Sequence, residues 1–259
     1  MVWFFIAVPM FLMNNSCKKT EEVIPLLTAS AGPAVLPTRG GVALTFDDYS
    51  IDNWYKYMDL FDSLQVKATF YISNYNLLTP AQKNKLKNMQ NRGHEIAFHS
   101  TNHVNFIEYV KKEGSENLIT EEVDKGVELM DNDGFYTSTF AYPFGKHNEV
   151  IDKLLLKKFR SIRALNGTQD YTRSLVPLKK NKMLYSLGID ESSKRSLTKI
   201  EGLLVTAQQT DHCAVLLAHK IEKENTTLQI PLWKLKEIIV NAKSLNLRFY
   251  TISEISRKY

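Results

Sequence analysis

The stretch Val42-Ala43-Leu44-Thr45-Phe46-Asp47-Asp48 joins an apolar run to two adjacent carboxylates. An apolar run of this length predicts a buried β-strand, and the carboxylates come where that strand stops. A second apolar run, residues 96–98, is followed in the same way by His99 and His103. One carboxylate and two neutral imidazoles form a ligand set for Zn²⁺ or a similar divalent metal, and the second carboxylate remains free to act as a base. The spacing therefore indicates the chemistry of metal-assisted hydrolysis.

Further short apolar runs alternate with helical patterns along the rest of the chain. The predicted strands are residues 42–46, 68–72, 95–98, 139–141, 161–164, 184–189, 214–217 and 249–252. The predicted helices are residues 54–64, 80–91, 120–131, 150–158, 198–208 and 232–244. Such alternation predicts a parallel sheet, and about 220 residues with seven or eight repeats favour a closed barrel over an open sheet. We therefore expect an α/β fold, a single-domain (β/α) barrel with its chemistry at the carboxyl ends of the strands.

Two local patterns add detail to this expectation. Thr120, followed by Glu121 and Glu122, is typical of a capped helix start with a favourable dipole. The two histidines at positions 99 and 103 would converge on one metal if their segment made a single helical turn, and the Ser100 hydroxyl would fix that turn.

The amino terminus differs in character from the rest of the chain. Residues 2–13 form an uncharged apolar run of signal-peptide length, and Asn14-Asn15-Ser16-Cys17 follows it. This order resembles a bacterial lipoprotein signal, although no Lys or Arg precedes the run, and an ordinary secretion signal or an uncleaved anchor remain alternatives. We expect a signal peptide at residues 1–17, a flexible tether at 18–38 and a folded domain at 39–259. The protein would be exported to the cell envelope, lipid-anchored through Cys17, or otherwise periplasmic or secreted.

The charge distribution argues against nucleic-acid binding. The net charge is +5, but Lys and Arg occur in short pairs and never in a run of five or more. A nucleic-acid-binding face requires a denser basic cluster. A weak attraction to anionic envelope polymers or to a membrane surface is a more natural use of this charge.

At four places the sequence resembles the polysaccharide deacetylases, the NodB-homology enzymes of carbohydrate esterase family four. The similar segments are, in order, Thr45-Phe46-Asp47-Asp48, His99-Ser100-x-x-His103, Tyr142-Pro143-Phe144-Gly145 and Leu217-x-His219. They match four of the family's five motifs, and the resemblance covers roughly residues 40–255. It implies a distorted (β/α) barrel, in agreement with the seven to eight strands counted above.

The resemblance also implies a role for each matching residue. Asp47 would be the general base and His219 the general acid. One divalent metal would be bound by Asp48, His99 and His103, with Zn²⁺ expected first and Co, Ni or Mn as alternatives. The pocket would be completed by the backbone N–H of Phe144 at the oxyanion, by Leu217 at the acetyl methyl group and by the flanking ring of Tyr142.

Two departures from the family pattern affect the groups that support the base and the acid. Ala141 stands where the family usually has an Arg that orients the base. Arg163, at the end of a later strand, could supply the missing guanidinium, and a surface ion pair or a contact with substrate is the alternative interpretation. The fourth motif, which tunes the acid histidine, is not found as the family has it. Asp190 is the best substitute, and a helix N-cap is the alternative interpretation of that residue.

The resulting hypothesis is a metal-dependent hydrolase that removes N-acetyl groups from an amino-sugar polysaccharide, such as peptidoglycan, a chitin-like polymer or an exopolysaccharide. An O-acetyl esterase acting on xylan-type polysaccharide is an alternative, because the family contains both. An inert carbohydrate-binding barrel is a second alternative, although binding alone needs neither a base nor an acid. The expected partner is an acetylated polysaccharide, without nucleic acid, with membrane contact only through a lipid or signal anchor, and with the protein as a monomer.

Overall fold

A computed structural model describes residues 1–2, 40–178, 181–222 and 227–256. The expected signal peptide, the lipidation site Cys17 and the tether lie almost entirely outside these residues and stay predictions. Within the described residues, no helix is both long enough and apolar enough to cross a membrane.

Seven parallel strands close into a barrel. The strands of the described residues are β1 (Gly41–Asp48), β2 (Ala68–Ile72), β3 (Glu95–Phe98), β4 (Thr139–Ala141), β5 (Ser161–Leu165), β6 (Leu175–Pro177), β7 (Met183–Gly188), β8 (His212–Ala218), β9 (Lys220–Glu222), β10 (Gln229–Pro231) and β11 (Arg248–Phe249). The barrel order is β1-β2-β3-β4-β5-β7-β8, and β8 pairs again with β1 from Cys213 opposite Gly41 to Ala218 opposite Phe46. This closure confirms the predicted single-domain (β/α) barrel.

Helices cover the outside of the barrel. They are α1 (Ile51–Tyr55), α2 (Met58–Ser63), α3 (Pro80–Asn91), α4 (Phe106–Asn117), α5 (Lys125–Asn132), α6 (Glu149–Leu155), α7 (Leu197–Thr210), α8 (Leu232–Ser244) and α9 (Ile252–Ile255). A π-helical segment, Leu118–Asp124, joins α4 to α5. Short 3₁₀ turns lie at Tyr75–Leu77, Pro143–Gly145, Tyr171–Ser174 and Glu191–Ser193.

Side chains of β1 alternate between two apolar cores. Leu44 and Phe46 belong to the large core between the sheet and the helices, and Ala43 belongs to a smaller core inside the barrel. Because successive side chains of a strand point to opposite faces, Asp47 lies on the same face as Ala43 and therefore points into the barrel. Small residues such as Ala141 on this inner face leave room for larger polar groups near the mouth.

Three sequence predictions of secondary structure were wrong. Residues 249–252 do not form an eighth barrel strand: Phe249 ends the two-residue β11, and α9 starts at Ile252 behind a capping box of Thr251 and Glu254. The predicted helix 54–64 is interrupted between α1 and α2. Thr120 starts no helix, because the helical segment that contains it already begins after a kink at Gly114, where φ is 85°.

Candidate active site

A cavity of about 200 Å³ opens at the carboxyl ends of the barrel strands. Every site residue predicted from the sequence lines this cavity, except Asp190, which lies behind His219. Gly145, Leu165 and Leu228 complete the lining and were not predicted. The structure therefore brings the predicted residues together, whereas their chemical roles stay predictions.

Asp48, His99 and His103 form a cluster suited to a divalent metal. The Nε2 atoms of His103 and His99 lie 3.2 and 3.7 Å from Asp48 Oδ1, and one potential ligand atom from each residue lies within 4.8 Å of the others. Ligands about 2 Å from one zinc ion lie about 3.3 Å apart in a tetrahedron, so these separations fit.

The protonation state of His99 also fits a metal ligand. Its Nδ1 donates a hydrogen bond to the carbonyl oxygen of Ala141 over 2.8 Å, which leaves the Nε2 lone pair free towards Asp48. Burial lowers the pKa of His99 to about 4, against the opposing effect of Asp47 and Asp48. A neutral imidazole with a fixed tautomer is the form that binds a metal ion.

The segment that carries the two histidines is not the helical turn expected from the sequence. Ser100 and His103 have φ values of 73° and 54°, and the Ser100 Oγ accepts a hydrogen bond from the His103 backbone N–H over 2.8 Å. The Ser100 hydroxyl thus fixes the loop, as expected, but in a left-handed conformation. This conformation costs free energy for an L-residue. Such strained conformations are common at functional sites.

Asp47 is paired with Arg163 inside the barrel. Nη2 of Arg163 donates to Asp47 Oδ2 over 2.5 Å, Nη1 donates to Ser186 over 2.7 Å, and the guanidinium lies 4.9 Å from the Tyr71 ring centre. Arg163 lies directly opposite Ala141 in the β4–β5 register. Arg163 thus lies one strand along from Ala141, the position at which the resemblance implies an Arg, and it reaches the carboxylate.

One carboxylate oxygen of Asp47 accepts no hydrogen bond from the described residues. Oδ1 is buried and has no hydrogen-bond partner among the described residues, whereas Oδ2 holds the ion pair with Arg163 and lies 3.7 Å from His99 Nε2. A buried carboxylate oxygen normally has a partner. This oxygen is thus available for a water or substrate proton at the metal cluster.

His219 and Asp190 form the second charged pair. The imidazole Nδ1 donates to Asp190 Oδ2 over 2.5 Å, and the His219 backbone N–H donates to Oδ1 over 3.2 Å. Asp190 precedes a 3₁₀ turn, yet its side chain makes no capping bond there. The carboxylate therefore contacts His219 instead of acting as a helix cap.

The environment of His219 favours its protonated form. Burial lowers the pKa of this imidazole, but the hydrogen bond that it donates to Asp190 and the charge of Asp47 outweigh burial and raise the pKa above its ordinary value. A raised pKa favours the protonated imidazole, which is the form that a general acid requires.

The loop after β4 forms another wall of the cavity. Phe144 has a φ of 58°, and its exposed ring lies 4.8 Å from the His103 ring. Glycine is required at position 145, because a Cβ atom there would lie 2.3 Å from Leu165 Cβ. The buried Tyr142 is fixed by its hydroxyl, which donates to Asp152 over 2.7 Å. Leu217 contributes an apolar surface to the same cavity.

Glu122 was missed as a site-associated residue by sequence reasoning. It is almost fully buried, and its carboxylate contacts the loop between His99 and His103. Its adjacency to Thr120 and Glu121 suggested only a helix start, because hydrophobic spacing does not reveal a buried carboxylate on a π-helical turn.

Comparison with known proteins identifies one similar family. Residues 36–159 match the family model described as polysaccharide deacetylase. A comparison with curated protein sequences finds no significant match.

Three solved structures share the fold at low sequence identity. A chitin deacetylase from Colletotrichum lindemuthianum is 18% identical, covering 87% of this chain and 90% of that chain at a TM-score of 0.58. The catalytic domain of a peptidoglycan N-acetylglucosamine deacetylase from Eubacterium rectale is 18% identical, covering 85% and 91% at 0.54. The Xyl-CE4 domain of a multidomain xylanase from the hindgut metagenome of Trinervitermes trinervoides is 18% identical, covering 83% and 89% at 0.56. The family match covers three of the four motifs, so residues 36–159 of this chain are similar to the polysaccharide deacetylase family.

Proposed function

We propose that this protein is a metal-dependent hydrolase that removes N-acetyl groups from an amino-sugar polysaccharide, such as peptidoglycan, a chitin-like polymer or an exopolysaccharide. The observation that carries the proposal is a pair of charged contacts, Asp47–Arg163 and His219–Asp190, at the same cavity as Asp48, His99 and His103. These last three residues are called the metal-type cluster below. Carbohydrate binding alone requires no such charged contacts, so their presence favours catalysis over an inert barrel.

The three-residue cluster would hold the metal. A divalent cation bound by Asp48, His99 and His103 would polarise the acyl oxygen and make a water molecule acidic enough to react near neutral pH. Three protein ligands leave a coordination position open, as in catalytic zinc sites.

Asp47 would act as the general base. Its free Oδ1 accepts the proton of the attacking water, and the ion pair with Arg163 holds the carboxylate in orientation. The same guanidinium is fixed by Ser186 and stacked on Tyr71, so the base is held by rigid barrel residues.

His219 would act as the general acid. An amine leaves only once its nitrogen carries a proton, and the raised pKa of His219 keeps that proton available. An ester alcohol is a better leaving group and depends less on such an acid. The Asp190–His219 pair therefore favours amide over ester hydrolysis.

The loop after β4 and Leu217 would bind the acetyl group. The backbone N–H of Phe144 would donate to the developing oxyanion, because such donors act where negative charge forms. Leu217 would pack against the acetyl methyl group at the base of the cavity.

The family's solved relatives differ in substrate, so the polymer must be identified by assay. The three solved structures compared above are a chitin deacetylase, a peptidoglycan N-acetylglucosamine deacetylase and a domain of a xylanase. A location at the cell envelope also belongs to the proposal, and it rests on the apolar amino-terminal run and Cys17 of the sequence.

The deciding experiment measures acetate release from chitooligosaccharides, peptidoglycan and acetylated xylan side by side. We expect acetate and an equal amount of free amine from one of the first two substrates, loss of both after chelation, and recovery with added Zn²⁺ or Co²⁺. Release from xylan alone would replace the proposal with O-acetyl esterase activity. Binding of a polysaccharide without acetate release from any substrate would identify an inert barrel.

A further inference from the structure

Glu122 is an almost fully buried carboxylate beside the metal-type cluster. It is 2% exposed and lies in the π-helical segment Leu118–Asp124. Its hydrogen-bond partners among the described residues all belong to the loop between the two histidines. Ser100 Oγ and the Asn102 backbone N–H donate to Oε2 over 3.1 and 2.9 Å, and Asn102 Nδ2 donates to Oε1 over 2.8 Å.

The backbone of Glu122 continues this contact. Its carbonyl oxygen accepts the Thr101 N–H over 3.1 Å, so Glu122 binds each of the three residues 100–102. The loop must also hold two residues with positive φ, Ser100 and His103, each of which costs about 1–2 kcal/mol. Hydrogen bonds to a charged acceptor are strong enough to offset such a cost.

The Ser100 hydroxyl links Glu122 to His103 through two hydrogen bonds. Because this hydroxyl donates to Glu122, its lone pair faces the His103 N–H, which lies 2.8 Å away. The hydrogen-bond chain therefore runs from the carboxylate through Ser100 to the backbone of a metal-type ligand. Side-chain rotation of Ser100 would break the bond to His103.

Helix α5 is packed closely on the same loop. A Cβ atom at Gly126 would lie 2.6 Å from both Thr101 Oγ1 and Phe98 Cε2, so only glycine permits this approach. The π-helical turn just before α5 directs Glu122 inwards, whereas its neighbour Glu121 is partly exposed and pairs with Lys125. Such turns are rare and are frequent at functional sites.

We infer that Glu122 is a positioning residue that holds His103 and the loop 99–103 in the geometry that binds the metal. The inference rests on the proposed metal site, towards which Glu122 itself offers no ligand. Groups that orient metal ligands typically contribute about 10–100-fold to metal affinity.

Cobalt binding to the full-length protein tests the inference by titration calorimetry and by the absorption spectrum of bound Co²⁺. Glu122→Met keeps the size of the side chain and removes both acceptors, so we expect Co²⁺ affinity to fall about 10–100-fold with an altered spectrum. Glu122→Gln keeps one acceptor oxygen, and Asn102 can turn its amide towards the new NH₂ group, so a smaller loss is expected. Glu121→Gln is the matched control, with the same change one residue away, and should bind Co²⁺ as the wild type does.

Thermal unfolding with and without Co²⁺ separates positioning from general stability. A residue with only a structural role would lower both Tm values equally, whereas a positioning residue also reduces the Co²⁺-induced rise in Tm. Wild-type affinity and spectrum in folded Glu122→Met would overturn the inference. If that variant does not fold, the same result in Glu122→Gln overturns it. Failure of the wild type itself to bind Co²⁺ would instead refute the proposed metal site.

Discussion

Asp47 and Glu95 are acidic residues at opposite ends of the barrel, and their surroundings differ. Glu95 opens β3 at the amino end, and both of its oxygens are occupied: they accept bonds from Thr139 Oγ1 over 2.8 Å and from Thr69 Oγ1 and the Ser253 N–H over 2.9 Å each. Asp47, at the carboxyl end, keeps one oxygen without a partner among the described residues.

The backbone differs less between the two ends than the carboxylates do, because residues with positive φ occur at both ends. At the carboxyl end Asp48, Ser100, His103 and Phe144 all have positive φ values, between 54° and 86°, although none is glycine. At the amino end, Gly93 has a positive φ in the turn before β3, and so do Gln65 before β2 and Asp211 before β8, with φ values of 50° and 54°. What distinguishes the mouth is where its positive-φ residues lie: Asp48 and His103 belong to the candidate metal cluster, and strained residues are common at functional sites.

The largest expected effect comes from removing the proton-handling groups of the mouth. Asp47→Asn and His219→Ala should each lower kcat by roughly 10²–10⁴-fold, the usual scale for general acid–base groups. Neither residue belongs to the metal-type cluster, so metal content should stay at the wild-type level. Steady-state kinetics on the best acetylated substrate and elemental analysis of the purified proteins give the two readouts.

A surface carboxylate provides the control for this comparison. Asp52→Asn makes the same chemical change on α1, where the side chain pairs with Lys85 at the surface, and it should leave kcat unchanged. Near-normal kcat in Asp47→Asn or in His219→Ala would show that the affected group does not transfer the proton assigned to it.

A smaller and pH-dependent effect is expected at Asp190. Its hydrogen bond helps to raise the pKa of His219, so Asp190→Asn should lower that pKa. An acid is active only while protonated, and the alkaline limb of the kcat/KM profile should therefore move to lower pH, with activity best retained on the acidic side. Glu191→Gln, which changes the adjacent residue that pairs with Lys234, is the matched control. An alkaline limb that stays in place in Asp190→Asn would contradict the coupling.

The sequence predicted the barrel well because its strands carry a strong local signal. Seven apolar runs, from the one that ends at Phe46 to the one that ends at Leu217, correspond to the seven barrel strands. The false strand at residues 249–252 also had an apolar pattern, but the capping box of Thr251 and Glu254 favoured a helix start at Ile252. Local patterns therefore located the barrel strands. They did not show whether the apolar residues at 249–252 continue a strand or begin a helix.

Local patterns also predicted the site residues that directly follow a strand, but not those whose position depends on tertiary contacts. Asp47, Asp48, His99 and His103 follow their strands directly, and parallel strands bring their carboxyl ends to one edge. Arg163 was placed near Asp47 on the same reasoning, and the two side chains are in contact. The left-handed loop at Ser100 and the buried Glu122 depend on tertiary contacts, which residue spacing does not encode.

The smallest effect is expected at the amino end of the barrel. Glu95→Gln should leave kcat within about threefold of the wild type, because Glu95 lies far along the strands from the mouth, and should change the free energy of unfolding by about 1 kcal/mol. Burial raises the pKa of Glu95 above 4.5, even though its hydrogen bonds lower it. The folded state thus holds this proton more tightly than the unfolded state does, and the wild type should lose stability relative to Glu95→Gln as the pH rises above 4.5. Urea unfolding of both proteins at several pH values measures this difference. A kcat loss in Glu95→Gln as large as that of Asp47→Asn would remove the distinction between the two ends, since it would make Glu95 part of the catalytic chemistry.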